Sequence, residues 1–483
     1  MVSRRSVVAG LGAAVVSGFD PTSRSWMSVA QGATLDPTPH LDGTLSTDPG
    51  TVAGYAVDAG NIVHKTPWAV LRPGSVADIS KMIVFCRRHG IKVSARGQGH
   101  TTYGQSQVAA GLVVDMGSLS QIHSISAAGA DVDAGLTWRQ LVTASVPLGL
   151  KPPVLTGYIN LSIGGTLSVG GVSSTNTQGC QVDRVKELEV VTGEGLVKRC
   201  SLTQNRDLFE AVLAGLGQCG IITRAIIEMV PAKASARTYF LTYNSNADFF
   251  ADFRELLRRG EFDDLYNIWV PDANGALVYQ LNAVKFFDPA SPPNDAHLTR
   301  NLRINASTVT TQDDSFLNYA LRVDAVIDFL TQIGLWTGVL HPWFDVWLPD
   351  AAVEKYVGEV IPSLTPEDVG PTGFALLFAT KASKLTRPFL RVPACSEYVF
   401  LFDILTAAPA PGPNPAFQTK MLARNRKLFD KARLVGGTRY PIGSIEFSRV
   451  DWLLQYGLSY LAFKALKLRY DPSGILTPGP GIF

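Results

Sequence analysis

The chain of 483 residues is long enough for two or three domains of ordinary size. Apolar residues make up 46% and charged residues 17%, which allows a large core and excludes wholesale disorder. A formal net charge of +2 without a long basic run gives no electrostatic case for nucleic acid or an anionic membrane surface, and no apolar segment beyond the N-terminus is long enough to span a bilayer.

Ser3-Arg4-Arg5-Ser6 precedes an apolar run over 7–16, and small residues continue to about Ala33. That order fits a twin-arginine-like signal, so 1–33 is expected to be a leader and the protein exported, secreted or periplasmic. Residues 34–62, rich in Thr, Ser, Gly, Asp and Pro, are expected to be a linker.

A strand over 68–73 stops at Pro73. A helix over 76–89 follows, with Ile79, Met82, Ile83 and Cys86 at helical spacing, Ser75 as N-cap and Gly90 as terminator. A strand at 91–94 completes a βαβ unit and delivers the chain into Arg96-Gly97-Gln98-Gly99-His100-Thr101, ahead of another strand at 111–115. Gly97 and Gly99 permit positive φ and let backbone N–H groups converge, an anion nest suited to a pyrophosphate. The neighbouring imidazole, when neutral, is a nucleophile able to form a covalent adduct. Taken alone, the stretch is equally a glycine turn with an incidental histidine.

A short strand at 132–134 and a helix at 137–146 lead to a second glycine-rich segment over 155–172. Its glycines, Gly164, Gly165, Gly170 and Gly171 among them, leave little room for a regular helix or strand. They suggest close backbone approach to a flat or anionic ligand, with hydroxyls from Ser162, Thr166 and Ser168. Strands at 185–191 and 196–200 form a hairpin, a helix covers 207–213, and a strand over 221–230 closes at Pro231.

The pattern then changes to a strand at 237–243, a helix at 247–259, and a hairpin of 267–270 with 276–286 about Asn274-Gly275. Strands at 373–380 and 397–405 and a helix at 417–433 follow. Strands grouped by hairpins, with helices apart, predict an antiparallel sheet covered on one side. The Ala-Pro run at 408–413 reads as a solvent loop, and the tail ending in Ile482-Phe483 is expected to pack back on the first domain. Cys86, Cys180, Cys200, Cys219 and Cys395 are odd in number with no CxxC, which argues against a zinc site or a disulfide framework and for buried small hydrophobes.

Several segments in this order resemble flavoproteins with a vanillyl-alcohol-oxidase-type (PCMH-type) FAD-binding domain, and among these most resemble the cytokinin dehydrogenases. They are Arg96-Gly-Gln-Gly-His100 with Gly104-Gln105, Val113-Val-Asp-Met116, Leu161-Ser-Ile-Gly-Gly-Thr-Leu-Ser168, and Gly215-Leu-Gly-Gln-Cys-Gly220. His341-Pro-Trp343 and Tyr470-Asp-Pro with Ile475-Leu-Thr-Pro-Gly479 complete the set. The resemblance implies an α+β fold: an FAD-binding domain of two subdomains at 63–232, an antiparallel-sheet substrate domain at 233–434, and a C-terminal segment at 435–483 that completes the FAD-binding domain. It implies an FAD-dependent oxidase or dehydrogenase acting on a small molecule, with oxygen or a quinone as electron acceptor and no resident metal. His100 matches the histidine bonded to the flavin 8α-carbon. Gly97, Gln98, Gly99 and Thr101 match the pyrophosphate loop, and Gln105 a side chain contacting the cofactor. Ser162, Ser168 and Val172 match positions of the second loop. Ile222 matches a backbone contact at the adenine end, Tyr440 a tyrosine near the flavin, and Thr477 a position usually Ser or Ala. Relatives with a second, cysteinyl bond carry cysteine where Tyr158 stands here, so a single covalent link is expected.

Two departures matter. The aspartate that accepts the substrate's proton in cytokinin dehydrogenases falls at Gly157, within Leu155-Thr156-Gly157-Tyr158. Pro480 stands where the family commonly has Gln. A general base contributes about 10²–10⁴-fold, so its loss leaves two readings: oxidation of a cytokinin-like amine, or of a different alcohol, sugar or amine with another base. Tyr103, Tyr158 and Asn160 are the candidates within the two loops, and none is a convincing carboxylate substitute. His341, Trp343 and Phe344 either line the substrate cavity or form an aromatic core.

Overall fold

A computed structural model describes residues 16–28, 35–271, 276–304, 306–394 and 396–483. Arg4-Arg5, the Asn274-Gly275 turn and Cys395 lie outside them. The protein mixes helix and sheet.

The first sheet has four strands in the order 44–46, 69–72, 112–115, 93–96. Ala69–Arg72 and Val93–Arg96 both pair in parallel with Leu112–Asp115. The helix Val76–His89 makes the crossover, burying Ile79, Met82, Ile83 and Cys86, and ends at Gly90 with φ +62°. The second sheet is antiparallel, its five strands ordered 197–201, 185–191, 221–227, 129–133, 122–126. Its neighbouring helix Trp138–Ser145 opens with a capping box between Thr137 and Gln140.

Three sequence expectations are corrected here. Residues 16–28, read as part of a leader, form a hairpin of Val16–Asp20 with Ser25–Ser28. Its Phe19 is buried between Trp26 and His89, with ring centroids 5.2 Å from each, so apolar packing holds it. Residues 35–62, read as linker, supply the edge strand Thr44–Ser46 and the helix Pro49–Gly54. The backbone N–H groups of Asp42 and Gly43 donate to the buried Asp78 carboxylate at 2.9 and 2.8 Å, which ties polar chain to the core in a way composition does not register. Residues Ile163–Val169 are a helix despite Gly164 and Gly165. A Cβ on Gly164 would lie 2.9 Å from Ala134 Cβ, so the glycine lets the helix press against the second sheet.

The third sheet has eight antiparallel strands, ordered 310–315, 235–243, 277–287, 264–271, 374–381, 398–405, 344–349, 438–439. Alternation along each strand divides its faces. Phe344, Val346, Leu348, Phe400, Phe402 and Ile404 pack with Phe249, Phe253, Val357 and Phe429 of the covering helices. The other face carries Trp347, Leu401 and Phe378 and meets the core of the five-stranded unit. Strands 310–315 and 344–349 and the helices over 316–332 and 350–360 are additions to the sequence reading.

The tail returns to the first sheet. Val93 N–H donates to Ile475 O, Thr477 N–H donates to Val93 O, and Ile475, Leu476 and Ile482 are buried. A buried ion pair fixes this return: Lys467 Nζ lies 2.7 Å from Asp471 Oδ2 and donates to the carbonyls of Gln218 and Leu476, while Asp471 accepts from Ile475 and Leu476 N–H. Removing one partner strands a buried charge, so Asp471→Ala is expected to cost about 3–5 kcal/mol, read as a lower urea midpoint at unchanged m value.

Candidate active site

Both glycine-rich segments and the tail line one cavity of about 600 Å³. Its wall includes Gly97, Gln98, Gly99, His100, Thr101, Gln105, Ser162, Ser168, Val172, Ile222, Tyr440 and Thr477, so every residue matched to the cofactor from sequence is brought together there. The far side is the inward face of the eight-stranded sheet, with Phe374, Leu376 and Leu401, and the aromatic side chains Trp336 and Trp343.

The loop after Val93–Arg96 is built on contacts the sequence did not announce. Arg96 Nη1 donates to the carbonyls of Tyr55 and Val57, and its guanidinium lies over the Tyr55 ring at 5.3 Å. Buried Asp58 accepts from Gly104 N–H at 2.7 Å, Thr101 Oγ1 at 3.0 Å and Gly60 N–H at 3.2 Å. Burial pushes the Asp58 carboxyl up to about 6 against the lowering effect of those bonds. The Thr101 hydroxyl is therefore committed to the loop, and what it leaves for a ligand is its backbone.

Gln105, matched to a cofactor contact, is committed to the protein. Its Oε1 accepts from Tyr103 N–H at 2.8 Å, and its Nε2 donates to the carbonyls of Pro441 and Ile442 at 3.2 Å and Gly443 at 3.3 Å. Thr102 Oγ1 adds a bond to Ile442 O, and Ser444 Oγ donates to Thr102 O.

His100 is enclosed by rings, with centroids 4.9 Å from Tyr158, 5.3 Å from Trp343 and 6.1 Å from Trp336. No described residue hydrogen-bonds its ring nitrogens, and its edge is open to the cavity. Burial pushes the imidazole down to about 3, with His341 adding to the effect, so it is neutral at physiological pH and its lone pair is free.

The second segment meets the first directly. A Cβ on Gly97 would lie 1.8 Å from Ser162 Oγ, so only glycine allows this approach. Ser162 caps the helix Ile163–Val169 by position without a side-chain bond, which leaves its hydroxyl facing the cavity. Ser168 Oγ donates back to Gly164 O at 2.7 Å, and Thr166 Oγ1 accepts from Trp138 Nε1 at 2.7 Å, so these hydroxyls serve the helix first. Tyr440 OH accepts from Gly171 N–H at 3.2 Å, and Thr477, at φ +45°, donates Oγ1 to Gly217 O at 2.9 Å.

His341 and Trp343 line the cavity, whereas Phe344 faces the helix-side core. His341 Nδ1 lies 2.8 Å from Ala59 O, which joins the substrate-side loop to the segment below His100. At Gly157 a Cβ would meet only Val323 Cγ2 at 3.9 Å, so the place of the expected aspartate is open. The substitutes weighed from sequence do not fill it. Burial raises the phenols of Tyr103 and Tyr158, which keeps them protonated and unable to accept a proton, and Asn160 lines a neighbouring hollow with Gln98. Sequence reading missed Asp345 and Asp403, which lie on this wall. Each is the lone charged residue of a strongly apolar strand, Phe344–Pro349 and Tyr398–Leu405, and that is the signal that could have found them.

The polar backbone of two close glycine loops, the open Ser162 hydroxyl, a free neutral imidazole and an aromatic far end fit a dinucleotide with a flat ring. Comparison with known proteins agrees. Residues 67–201 match the family model described as FAD binding domain, and residues 241–483 match cytokinin dehydrogenase 1, FAD and cytokinin binding. The chain is 34% identical over 441 residues to an oxidoreductase, ORF5 of the fasciation locus of Rhodococcoides fascians, covering 91% of this chain and 99% of that one. It is 29% identical to cytokinin dehydrogenase 2 of Arabidopsis thaliana, covering 94% and 96%, and 31% identical to cytokinin dehydrogenase 1 of Oryza sativa subsp. japonica, covering 91% and 92%.

The contact between the loops is testable. Gly97→Ala is expected to cost about 1–3 kcal/mol through overpacking and to lower cofactor occupancy, both measured on the purified protein by thermal melting and visible absorbance. Gly97→Ala with Ser162→Gly is expected to recover most of both.

Proposed function

Because the chain belongs to the cytokinin dehydrogenase family of FAD-dependent oxidoreductases, we propose that it oxidises a small amine or alcohol, using FAD held by a single covalent bond to His100. The observation that carries this reading is the His100 imidazole: neutral, free of hydrogen bonds and open on the cavity that both glycine loops line. A neutral ring nitrogen is the form that bonds to the flavin 8α-carbon.

The residues assigned to hold FAD are the backbone of 97–101, Ser162, Val172, Ile222, Tyr440 and Thr477, with Ser168 and Gln105 supporting them from behind. In this reading the four-stranded and five-stranded sheets are the two halves of the FAD-binding unit, and the eight-stranded sheet is the substrate side. Bound FAD supplies the oxidising power, accepting a hydride from the substrate carbon. The chain's own part is to fix the cofactor, exclude water with Trp336 and Trp343, and receive the substrate's proton. Oxygen or a quinone would serve as the final electron acceptor. Export of the folded, loaded chain through Arg4-Arg5 belongs to the same proposal.

A second reading keeps the same machinery and changes the substrate to another alcohol, sugar or amine. It is favoured by the open space at Gly157, because the relatives named as cytokinin dehydrogenases act on cytokinins and the family's proton acceptor is missing here.

The protein is expected to stay yellow after acid denaturation and gel filtration, and His100→Ala is expected to release its colour under the same treatment. Anaerobic bleaching by isopentenyladenine would support cytokinin oxidation. Bleaching only by members of a panel of other amines, alcohols and sugars would support the second reading.

A further inference from the structure

On the cavity face of the eight-stranded sheet, Tyr266, Ile268, Phe374, Leu376, Phe378, Leu401 and Leu405 make an apolar surface broken by two carboxyls. Asp345 and Asp403 sit directly opposite each other on the antiparallel strands Phe344–Pro349 and Tyr398–Leu405, so their side chains emerge side by side. Both are at least nine-tenths buried, at 1% and 4% exposure. Their carboxyls lie close enough to interact, no described residue hydrogen-bonds or ion-pairs with either side chain, and the one cation they feel is the buried Arg439 guanidinium, which acts on Asp345 through space. Asp345 Oδ2 and Asp403 Oδ1 are buried without a hydrogen-bond partner among the described residues. Two residues before Asp345, Trp343 contacts the His100 ring, and Tyr440 N–H donates to Asp345 O, so the backbone of Asp345 is tied to two elements that line the same cavity as His100.

We infer that the Asp345–Asp403 pair is the acid–base group of this enzyme, Asp345 taking the substrate's N–H or O–H proton in place of the carboxylate absent at Gly157. This rests on the oxidoreductase reading above. In the reaction the substrate C–H bond and its N–H or O–H bond break and a C=N or C=O bond forms. The hydride, with both electrons, goes to FAD. The remaining proton goes to Asp345 Oδ.

Two carboxylates in contact cannot both ionise cheaply, so the pair holds one proton. Burial raises both groups. Asp345 raises Asp403 further, whereas Asp403 and the Arg439 guanidinium hold Asp345 the lower of the two. The strand 438–439 pairs with 344–349 and places the Arg439 guanidinium on the Asp345 side of the pair, so the negative charge is assigned to Asp345 and the shared proton to Asp403. The other ionisable groups facing Asp345 are the buried guanidinium of Arg439, which lowers it, and the Tyr440 phenol. The adjoining strand Phe374–Lys381 presents only Leu376 and its apolar neighbours. Asp345 is a catalytic residue in this scheme and Asp403 a positioning residue.

The test uses the flavin-loaded full chain and a substrate from the panel above that bleaches it. Asp345→Asn, isosteric and unable to accept the proton, is expected to slow anaerobic flavin reduction by about 10²–10⁴-fold at unchanged flavin content and melting temperature. The wild-type rate is expected to rise with pH through the ionisation of Asp345, and this limb disappears in Asp345→Asn. Asp403→Leu removes the donor and is expected to move the limb to higher pH, and Asp403→Asn, which still donates, to move it back. Independently of any substrate, infrared spectra at neutral pH are expected to contain a protonated-carboxyl band that shifts in D2O and is lost in Asp403→Leu. Reduction of Asp345→Asn at the wild-type rate, or the absence of that band, overturns the inference. If no panel member bleaches the wild-type protein, the oxidoreductase reading fails on its own, and the infrared band still decides whether the pair shares a proton.

Discussion

The cavity exists because two distant parts of the chain are stitched together by one glutamine. Gln105 spends both ends of its amide on backbone: its oxygen on the loop that follows His100, its nitrogen on three successive carbonyls of 441–443. With Thr102 and Ser444 adding their hydroxyls, the junction is buried and fully paired. Everything chemical hangs on either side of it. His100 lies five residues upstream of Gln105, and Asp345 contacts the backbone of Tyr440, just before the accepting carbonyls. Loss of that seam would separate the proposed cofactor loop from the substrate sheet even if each folded unchanged.

Desolvation then sets the protonation state of what faces the cavity. The same burial that pushes the His100 imidazole down pushes the carboxyls of Asp345 and Asp403 up. It is met differently in the structural carboxylates: Asp78 accepts three backbone N–H bonds, which outweigh burial and hold its carboxyl below the ordinary range. Asp471 is paired with Lys467. The contrast separates the carboxyls that secure the fold from the two that have each other and, through space, the Arg439 guanidinium. A buried acid without N–H donors or an ion-pair partner in contact is costly to keep for stability alone, and such groups concentrate where protons are moved.

Much of the architecture was legible in sequence where punctuation was strong. The helix Val76–His89 starts after Ser75, which holds the N-cap position without a side-chain cap bond, and stops at Gly90 in the left-handed conformation. The glycine-histidine loop and the second glycine segment were readable because glycines at close spacing have few other uses, and their convergence on one cavity follows from the contact of Gly97 with Ser162. The helix Ile163–Val169 was not readable, because its glycines count against a helix in isolation and are explained only by the approach of Ala134. Residues 35–62 look like linker because their ordering comes from buried side chains such as Asp58 and Asp78, whose partners are backbone groups carrying no sequence signature.

The position of the acid pair also bears on how a substrate must lie. A carboxylate at residue 157 would project from the same segment that leads into the second glycine loop, on the cofactor side of the cavity. Asp345 and Asp403 project instead from the sheet opposite, on strands locked by pairing on both sides: Phe344–Pro349 between 398–405 and 438–439, and Tyr398–Leu405 between 344–349 and 374–381. A base on a central strand has less freedom than one on a loop, so the substrate must bring its N–H or O–H to the base rather than the reverse. The surrounding surface is aliphatic and aromatic, with the half-buried Arg322 guanidinium stacked 3.9 Å over the Tyr319 ring at another part of the wall. A molecule that turns its reacting heteroatom toward the sheet, and its apolar body along Leu376 and Leu401, satisfies both constraints at once. Its orientation then differs from one held by an acceptor beside Tyr158.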